Sequence, residues 1–254
     1  MPRSIQSIQR AAQVMRLLSG RTRRLSLVEI AGQMGLNKGT VFGILRTLQQ
    51  VGFVERDPES GKYQLGAALL HLGSSYLDGN ELRTRALNWA DSLAARSNET
   101  VRIGTLHDLR VLVVHHVFRP DDTYQVLQVG ALLPLHATAM GKTLLAANPY
   151  LVSELAAEEL PRFTARTLTS SRDLNAAARE VRSRGWAADI GELVDGEVSV
   201  AAPITDRRGE TVGTIGISGP IERLCEDGVP RGNLVSYVRE AARSISRDLG
   251  SIPW

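Results

Sequence analysis

The stretch MGLNKGTVFGILRTLQQVGFVERD, from Met34 to Asp57, joins a glycine turn, a one-sided helix and the first arm of a hairpin. Gly35 closes one helical run, and Asn37 is a good cap for the next. Val41, Ile44, Leu45 and Leu48 then recur at i, i+3, i+4 and i+7, the spacing of an inward stripe. That leaves Lys38, Gly39, Thr40, Phe42, Gly43, Arg46 and Thr47 outward. GFVER and KYQLG flank DPESG, which reads as a hairpin with Pro and Gly in its turn. Upstream, LSLVEIAGQMG carries Ser26 and, three residues on, Glu29, a capping-box arrangement. Before it, Ile5, Ile8, Ala12, Met15 and Leu18 repeat at helical spacing up to Gly20.

Helix, tight turn, second helix and β-wing is the order of a winged helix-turn-helix, whose second helix enters the DNA major groove. Lys38 and Arg46 suit phosphates or guanine, and Thr40 suits a phosphate or a base edge. Phe42 either touches a thymine methyl or tucks under the wing. Interior Gly39 and Gly43 each cost about 1 kcal/mol of helix propensity; close approach of a DNA backbone gives that cost a purpose. The alternative is a helical hairpin used only for packing.

Charge supports the first reading. Residues 1–80 hold ten Lys/Arg against five Asp/Glu, whereas the other 174 residues hold 20 against 22. A basic head on a near-neutral body favours a polyanionic partner. With 254 residues and 43% hydrophobic content, the chain suits two domains with real cores. No run approaches the ~20 apolar residues that span a bilayer, and the first residues have no apolar signal region. Cys225 is the single cysteine, so disulfides within the chain and a Cys-based zinc site are excluded. The expected location is the cytoplasm, with no membrane association.

Beyond Leu65 the pattern is helical to Ser97, with an Asp-Gly-Asn break at 78–80, and this stretch reads as a linker. From Thr100 the period becomes two: TVRIGTL, VLVVHHV and TYQVLQV are expected strands. Helices are expected at Ala139–Ala147, 150–159, 173–184 and Asn233–Leu249, and strands at VSVAAPI and TVGTIGIS around the turn DRRGE. Helices segregated from hairpin-linked strands make this an α+β domain. The expected organisation is a DNA-binding domain over 1–65, linker helices over 66–97 and a second domain over 98–254.

Enzyme motifs are absent. MGKTLLA ends like a P-loop, but His136 stands where the first glycine belongs. Gly213, Gly216 and Gly219 lie within a strand, where glycine marks close backbone approach, not in a strand-to-helix turn. His115 and His116, adjacent on a strand, point to opposite faces and cannot share one metal. Asp189, Glu192, Asp195 and Glu197 read either as a solvated acidic turn or as ligand-binding groups, with no acid/base pair among them. No catalytic residue, metal or cofactor is expected.

IQRAAQVMRLLS, the block from Leu25 to Gly66, LPLHATAMGKTLLA, and RGWAADIGELVDGEVSVAAPITDRRGETVGTIGISGP resemble the IclR family of bacterial transcription regulators over Ile5–Leu249. VHHVFRPDDTYQVLQVGALLPLHATAMGK is most similar to the glycerol-operon branch of that family in actinobacteria. The resemblance implies a winged helix-turn-helix and a GAF/PAS-like domain whose mainly antiparallel sheet is flanked by helices. It also implies a small-molecule pocket lined by Ala139, Met140, Asp189, Glu197, Ser199, Gly216 and Ser218. Helix-terminal amides at Ala139–Gly141 suit an anion, and Lys142 or Arg119 is the expected compensating cation. Gly43, Gly216 and Glu197 depart from the residue types usual in the family. The implied function is a ligand-responsive regulator, a repressor by expectation, of a catabolic operon. Its implied partners are double-stranded operator DNA, glycerol or glycerol 3-phosphate, and a second copy in a homodimer or homotetramer. The alternatives are another small-acid or aromatic pathway, or a GAF-type enzyme with an accessory DNA-binding domain.

Overall fold

Two side-chain caps set the frame of the first part of the chain. In the computed structural model, which describes residues 4–20, 22, 24–121, 123–155, 157 and 159–250, α1 spans Gln6–Leu18, α2 Leu27–Met34 and α3 Lys38–Gln50. Ser26 and Glu29 form the reciprocal capping box at α2, with Ser26 N donating to Glu29 Oε2 at 2.7 Å. Gly35 then takes the left-handed conformation (φ 63°), and Asn37 caps α3 by accepting from Thr40 N at 2.8 Å. The sharp turn between α2 and α3 thus has a local cause at each residue.

β1 (Val54–Arg56) and β2 (Tyr63–Leu65) pair antiparallel, and Leu25 adds a bridge to Tyr63. Val14, Ile30, Val41, Leu45, Val54 and Tyr63 bury together beneath them. Of the expected inward stripe, Val41, Leu45 and Leu48 are buried and Ile44 is partly buried. Arg24 pairs with Asp57 at 2.9 Å and donates to Gln64, tying the wing to the loop before α2.

α4 (Ala68–Asp78) follows the wing, and α5 (Glu81–Ser97) begins after an Asn80 cap. The chain divides into two compact units, Met1–Gly79 and Asn80–Trp254. Residues 66–97, expected as one linker, therefore contribute α4 to the first unit and α5 to the second.

The second unit is built on a six-stranded antiparallel sheet of order β5-β4-β3-β8-β7-β6. Its strands are β3 Thr100–His107, β4 Arg110–Val117, β5 Leu132–Pro134, β6 Ala187–Ile190, β7 Glu197–Thr205 and β8 Thr211–Pro220. The helices are α6 Ala139–Ala147, α7 Tyr150–Leu155, α8 Ser171–Arg184, α9 Ile221–Leu224 and α10 Gly232–Asp248, with the small hairpin β9 (Cys225–Glu226) and β10 (Val229–Pro230) between the last two. Neighbouring residues on β8 show how the sheet is covered. A Cβ at Gly213 would lie 2.3 Å from Leu82 of α5, while the next hydroxyl, of Thr214, bonds Thr143 of α6 at 2.9 Å. Adjacent strand residues face opposite ways, so α5 with α10 covers one face and α6 with α8 the other.

One expected strand is corrected. TYQVLQV does not join the sheet; Leu132–Pro134 supplies the edge instead. Tyr124, Val126 and Leu127 are exposed, and Gln125 replaces a ladder by binding Arg119 through both its amide nitrogen and its oxygen. Alternating apolar residues are not enough where side chains capture the backbone groups. The expected helix at 150–159 is present over Tyr150–Leu155 as α7, and residues 156 and 158 of that expectation lie outside the described residues.

Candidate functional site

On α3, Lys38, Gly39, Phe42, Gly43, Arg46 and Thr47 are all exposed and Thr40 is half-buried. Phe42 is 49% exposed and so presents about half of its side chain outward from α3. Thr47 Oγ1 donates to Gly43 O at 3.1 Å, so its hydroxyl is engaged by its own helix. A Cβ at Gly43 would meet no heavy atom within 4 Å, and one at Gly39 only the Asn37 side chain at 3.5 Å. Nothing among the described residues requires glycine at either position. Phe42 and the two cations, Lys38 and Arg46, project from this side of α3 beside the bare backbone of Gly39 and Gly43, which matches what a helix entering a groove presents.

In the second unit a cavity of about 130 Å³ opens against the sheet. Met140, Asp189, Glu197, Ser199, Gly216 and Ser218, all expected there, line it together with Arg102, Gln128 and Thr138. The strand register explains the convergence. Asp189 faces Ser199, Ser199 faces Ser218, and Arg102 lies on the next strand opposite Gly216. Arg102 leans along the sheet so that Nη1 donates to Ser218 Oγ at 2.6 Å. The result is a polar row across four strands, from a cation to a carboxyl.

Asp189 accepts from Glu192 N at 2.7 Å and from the Ser199 hydroxyl at 3.2 Å. Burial nevertheless pushes its carboxyl up to about 6, with the nearby Glu192 charge adding to the rise. Arg102 is shifted down, chiefly by burial and against the pull of Glu197. Its neighbour across the β3–β4 pair, His116, is held down to about 4 by burial and by Arg102, and so is neutral; its Nδ1 accepts from Gln128 N at 3.1 Å.

Ala139 does not line the cavity but touches its wall: its N–H donates to Ser199 Oγ at 3.4 Å. Gly141 N is taken by Thr138 Oγ1 at 3.0 Å, so two of the amides expected to hold an anion are already engaged. Gly141 itself packs α6 onto the chain, since a Cβ there would lie 2.2 Å from Leu135 O. Neither expected cation stands in the cavity. Lys142 is buried between Ala188 O (2.9 Å) and the Glu192 carboxylate, and Arg119 pairs with Asp121. Arg102 is the residue that sequence reasoning missed, and an arginine inside the β-branched run TVRIGTL was its signal.

Among the described residues no group of three or more His, Cys, Asp or Glu is placed to hold a metal ion. His136 binds Pro161 O at 2.9 Å and His107 sits beside Asp108, both away from the cavity row. No helix is long and apolar enough to cross a membrane among the described residues.

Comparison with known proteins agrees with this geometry. Residues 7–58 match the IclR helix-turn-helix domain, and residues 74–247 match the C-terminal domain of bacterial IclR transcriptional regulators. The chain is 54% identical to the glycerol operon regulatory protein of Streptomyces coelicolor and 53% identical to that of Streptomyces griseus, over 99% of each chain. An IclR transcriptional regulator from Alicyclobacillus acidocaldarius superposes with a TM-score of 0.80 at 28% identity, over 96% of this chain and 99% of its own. Fold, domain matches and full-length identity agree: the chain belongs to the IclR family of DNA-binding bacterial transcriptional regulators, and the family's members are not enzymes.

Proposed function

We propose that the chain is a ligand-responsive repressor of a glycerol catabolic operon. Residues 1–65 act as its DNA-binding domain, 66–97 as its linker helices and 98–254 as its effector-binding domain. The observation that carries the ligand half is the polar row from Arg102 through Ser218 and Ser199 to Asp189, enclosed in a cavity of small-metabolite size. The 54% identity to a glycerol operon regulatory protein supports glycerol or glycerol 3-phosphate as effector. Lys38, Thr40, Phe42, Arg46 and Thr47 meet the operator, and Gly39 and Gly43 let α3 approach it.

The protein works in the cytoplasm as a homodimer or homotetramer. α4 supports self-association: it has no buried residue, and Leu70, Leu72 and Tyr76 stand exposed on it. A dimer would read two half-sites of a pseudo-palindromic operator. The effector acts only by binding one arrangement of the protein better than another. A coupling of about 1–3 kcal/mol, usual for allostery, changes operator occupancy roughly 5–150-fold.

Footprinting on the DNA upstream of the chain's own gene tests the DNA half. The proposal requires protection of a two-fold symmetric site and its loss in a Lys38→Ala/Arg46→Ala variant that still folds. Protection that is equal on random DNA would overturn it.

A further inference from the structure

Arg102 is a charged group in an unusual position. Its side chain lines the cavity, and burial lowers the stability of its charged form. Among the described residues its single hydrogen bond goes to the neutral hydroxyl of Ser218, at 2.6 Å. Its Nε is buried without an acceptor. Buried guanidinium groups are ordinarily paired with carboxylates or fully hydrogen-bonded, because an uncompensated buried charge is costly.

No group among the described residues supplies the missing counter-charge. Glu197, the acid that acts on Arg102 through space, forms no ion pair with it and is exposed to water. Asp189 lies three strands away, which at about 4.8 Å per strand puts the two backbones roughly 14 Å apart. It is also occupied by Glu192 N and Ser199. His116, beside Arg102 on β4, is neutral and contributes no anion. The other cations of this unit near the site are spent, Lys142 on Glu192 and Arg119 on Asp121.

We propose that Arg102 selects the effector: its guanidinium takes the carboxylate or phosphate of a small hydroxylated anion, whose hydroxyls reach Ser218, Ser199 and Asp189. This rests on the reading of the cavity as the effector site. The row has a cation at one end, hydroxyls in the middle and an acceptor at the other, so it complements a ligand with an anionic head and a hydroxylated tail. Guanidinium is the side chain best shaped for carboxylate and phosphate oxygens. A cavity of about 130 Å³ is close to the ~150 Å³ that holds benzene, which suits a three-carbon polyol skeleton. A neutral polyol fills the same space and leaves Arg102 uncompensated.

Titration calorimetry of the full chain with glycerol, glycerate and glycerol 3-phosphate at fixed salt tests this. Hydrogen bonds to charged groups predict that at least one of the two anions binds about 10- to 100-fold tighter than glycerol. The comparison of glycerate with glycerol 3-phosphate tells carboxylate from phosphate. Arg102→Gln is expected to abolish the preference, weakening the anions at least about tenfold more than it weakens glycerol. The wild-type comparison stands alone should the variant fold poorly. Glycerol binding as tightly as both anions, or Arg102→Gln weakening glycerol as much as the anions, overturns the role of Arg102 and leaves the cavity an effector site. Failure of all three compounds to bind overturns both readings.

Discussion

Replacing Gly43 by alanine separates what α3 needs in order to fold from what it needs in order to reach DNA. Gly43 sits in the interior of a helix of 13 residues, and a Cβ built on it meets nothing within 4 Å. The methyl group therefore creates no clash in the free protein. Alanine in place of glycine inside a helix contributes about 0.8–1.0 kcal/mol of stability. For a domain of this size a gain of that order raises the melting temperature by roughly 4–8 °C. The same methyl stands on the exposed side of α3, next to Gly39, Arg46 and Thr47. If α3 lies against DNA there, the added group holds the helix off and weakens operator binding, by about tenfold for a loss of ~1.4 kcal/mol. The assay is a pair of measurements on the full chain: thermal melting followed by circular dichroism, and operator affinity by fluorescence anisotropy. A variant that melts higher and binds more weakly is the expected result. Higher stability with unchanged affinity refutes close approach at Gly43, and lower stability refutes the account of the glycine itself.

The remaining expectations concern single groups. Lys38→Ala should weaken binding to specific and random DNA alike and reduce the slope of log affinity against log salt by about 0.9, the value for one phosphate contact; an unchanged slope would remove Lys38 from the interface. Asp189, raised by burial from 3.8 to about 6, gives a stability contribution that is complete below about pH 4 and is lost as pH rises through 6. Asp189→Asn should therefore match the wild type below pH 4 and exceed it by up to about 3 kcal/mol above pH 7; denaturant melts across pH check both limits, and an equal gain at every pH would contradict the buried-charge account. Gly141→Ala forces a methyl onto the Leu135 backbone, 2.2 Å from its oxygen, and should destabilise the second unit by about 1–3 kcal/mol; an unchanged melting curve would show that α6 can move aside.

How much of this was legible depended on whether the signal was local. The caps at Ser26 and Asn37, the stripe of α3 and the span Ala139–Ala147 of α6 are set by residues within a few positions of one another, and each was readable. TYQVLQV was misread because its fate hangs on the Gln125 side chain binding the Arg119 backbone. The short strand β6 escaped notice because AADI has no alternation of its own and is a strand by virtue of pairing with β7. Most of the cavity-lining residues could be named from resemblance, but the cavity's charge could not. Lys142 seemed available until its partner Glu192, fifty positions away in sequence, came into contact. Arg102 was hidden in an apolar strand and entered the cavity through the register of β3 with β8.

The central claim is that the α3 face and the cavity of the second unit belong to one switch. Operator affinity at about 0.15 M salt, measured with this chain's own upstream DNA and titrated first with glycerol 3-phosphate and then with glycerol, tests it most directly, since salt alone changes such affinities steeply. The account predicts specific binding in the absence of ligand and a shift of about 5–150-fold on adding the effector. Tight, specific binding that neither compound alters would contradict it.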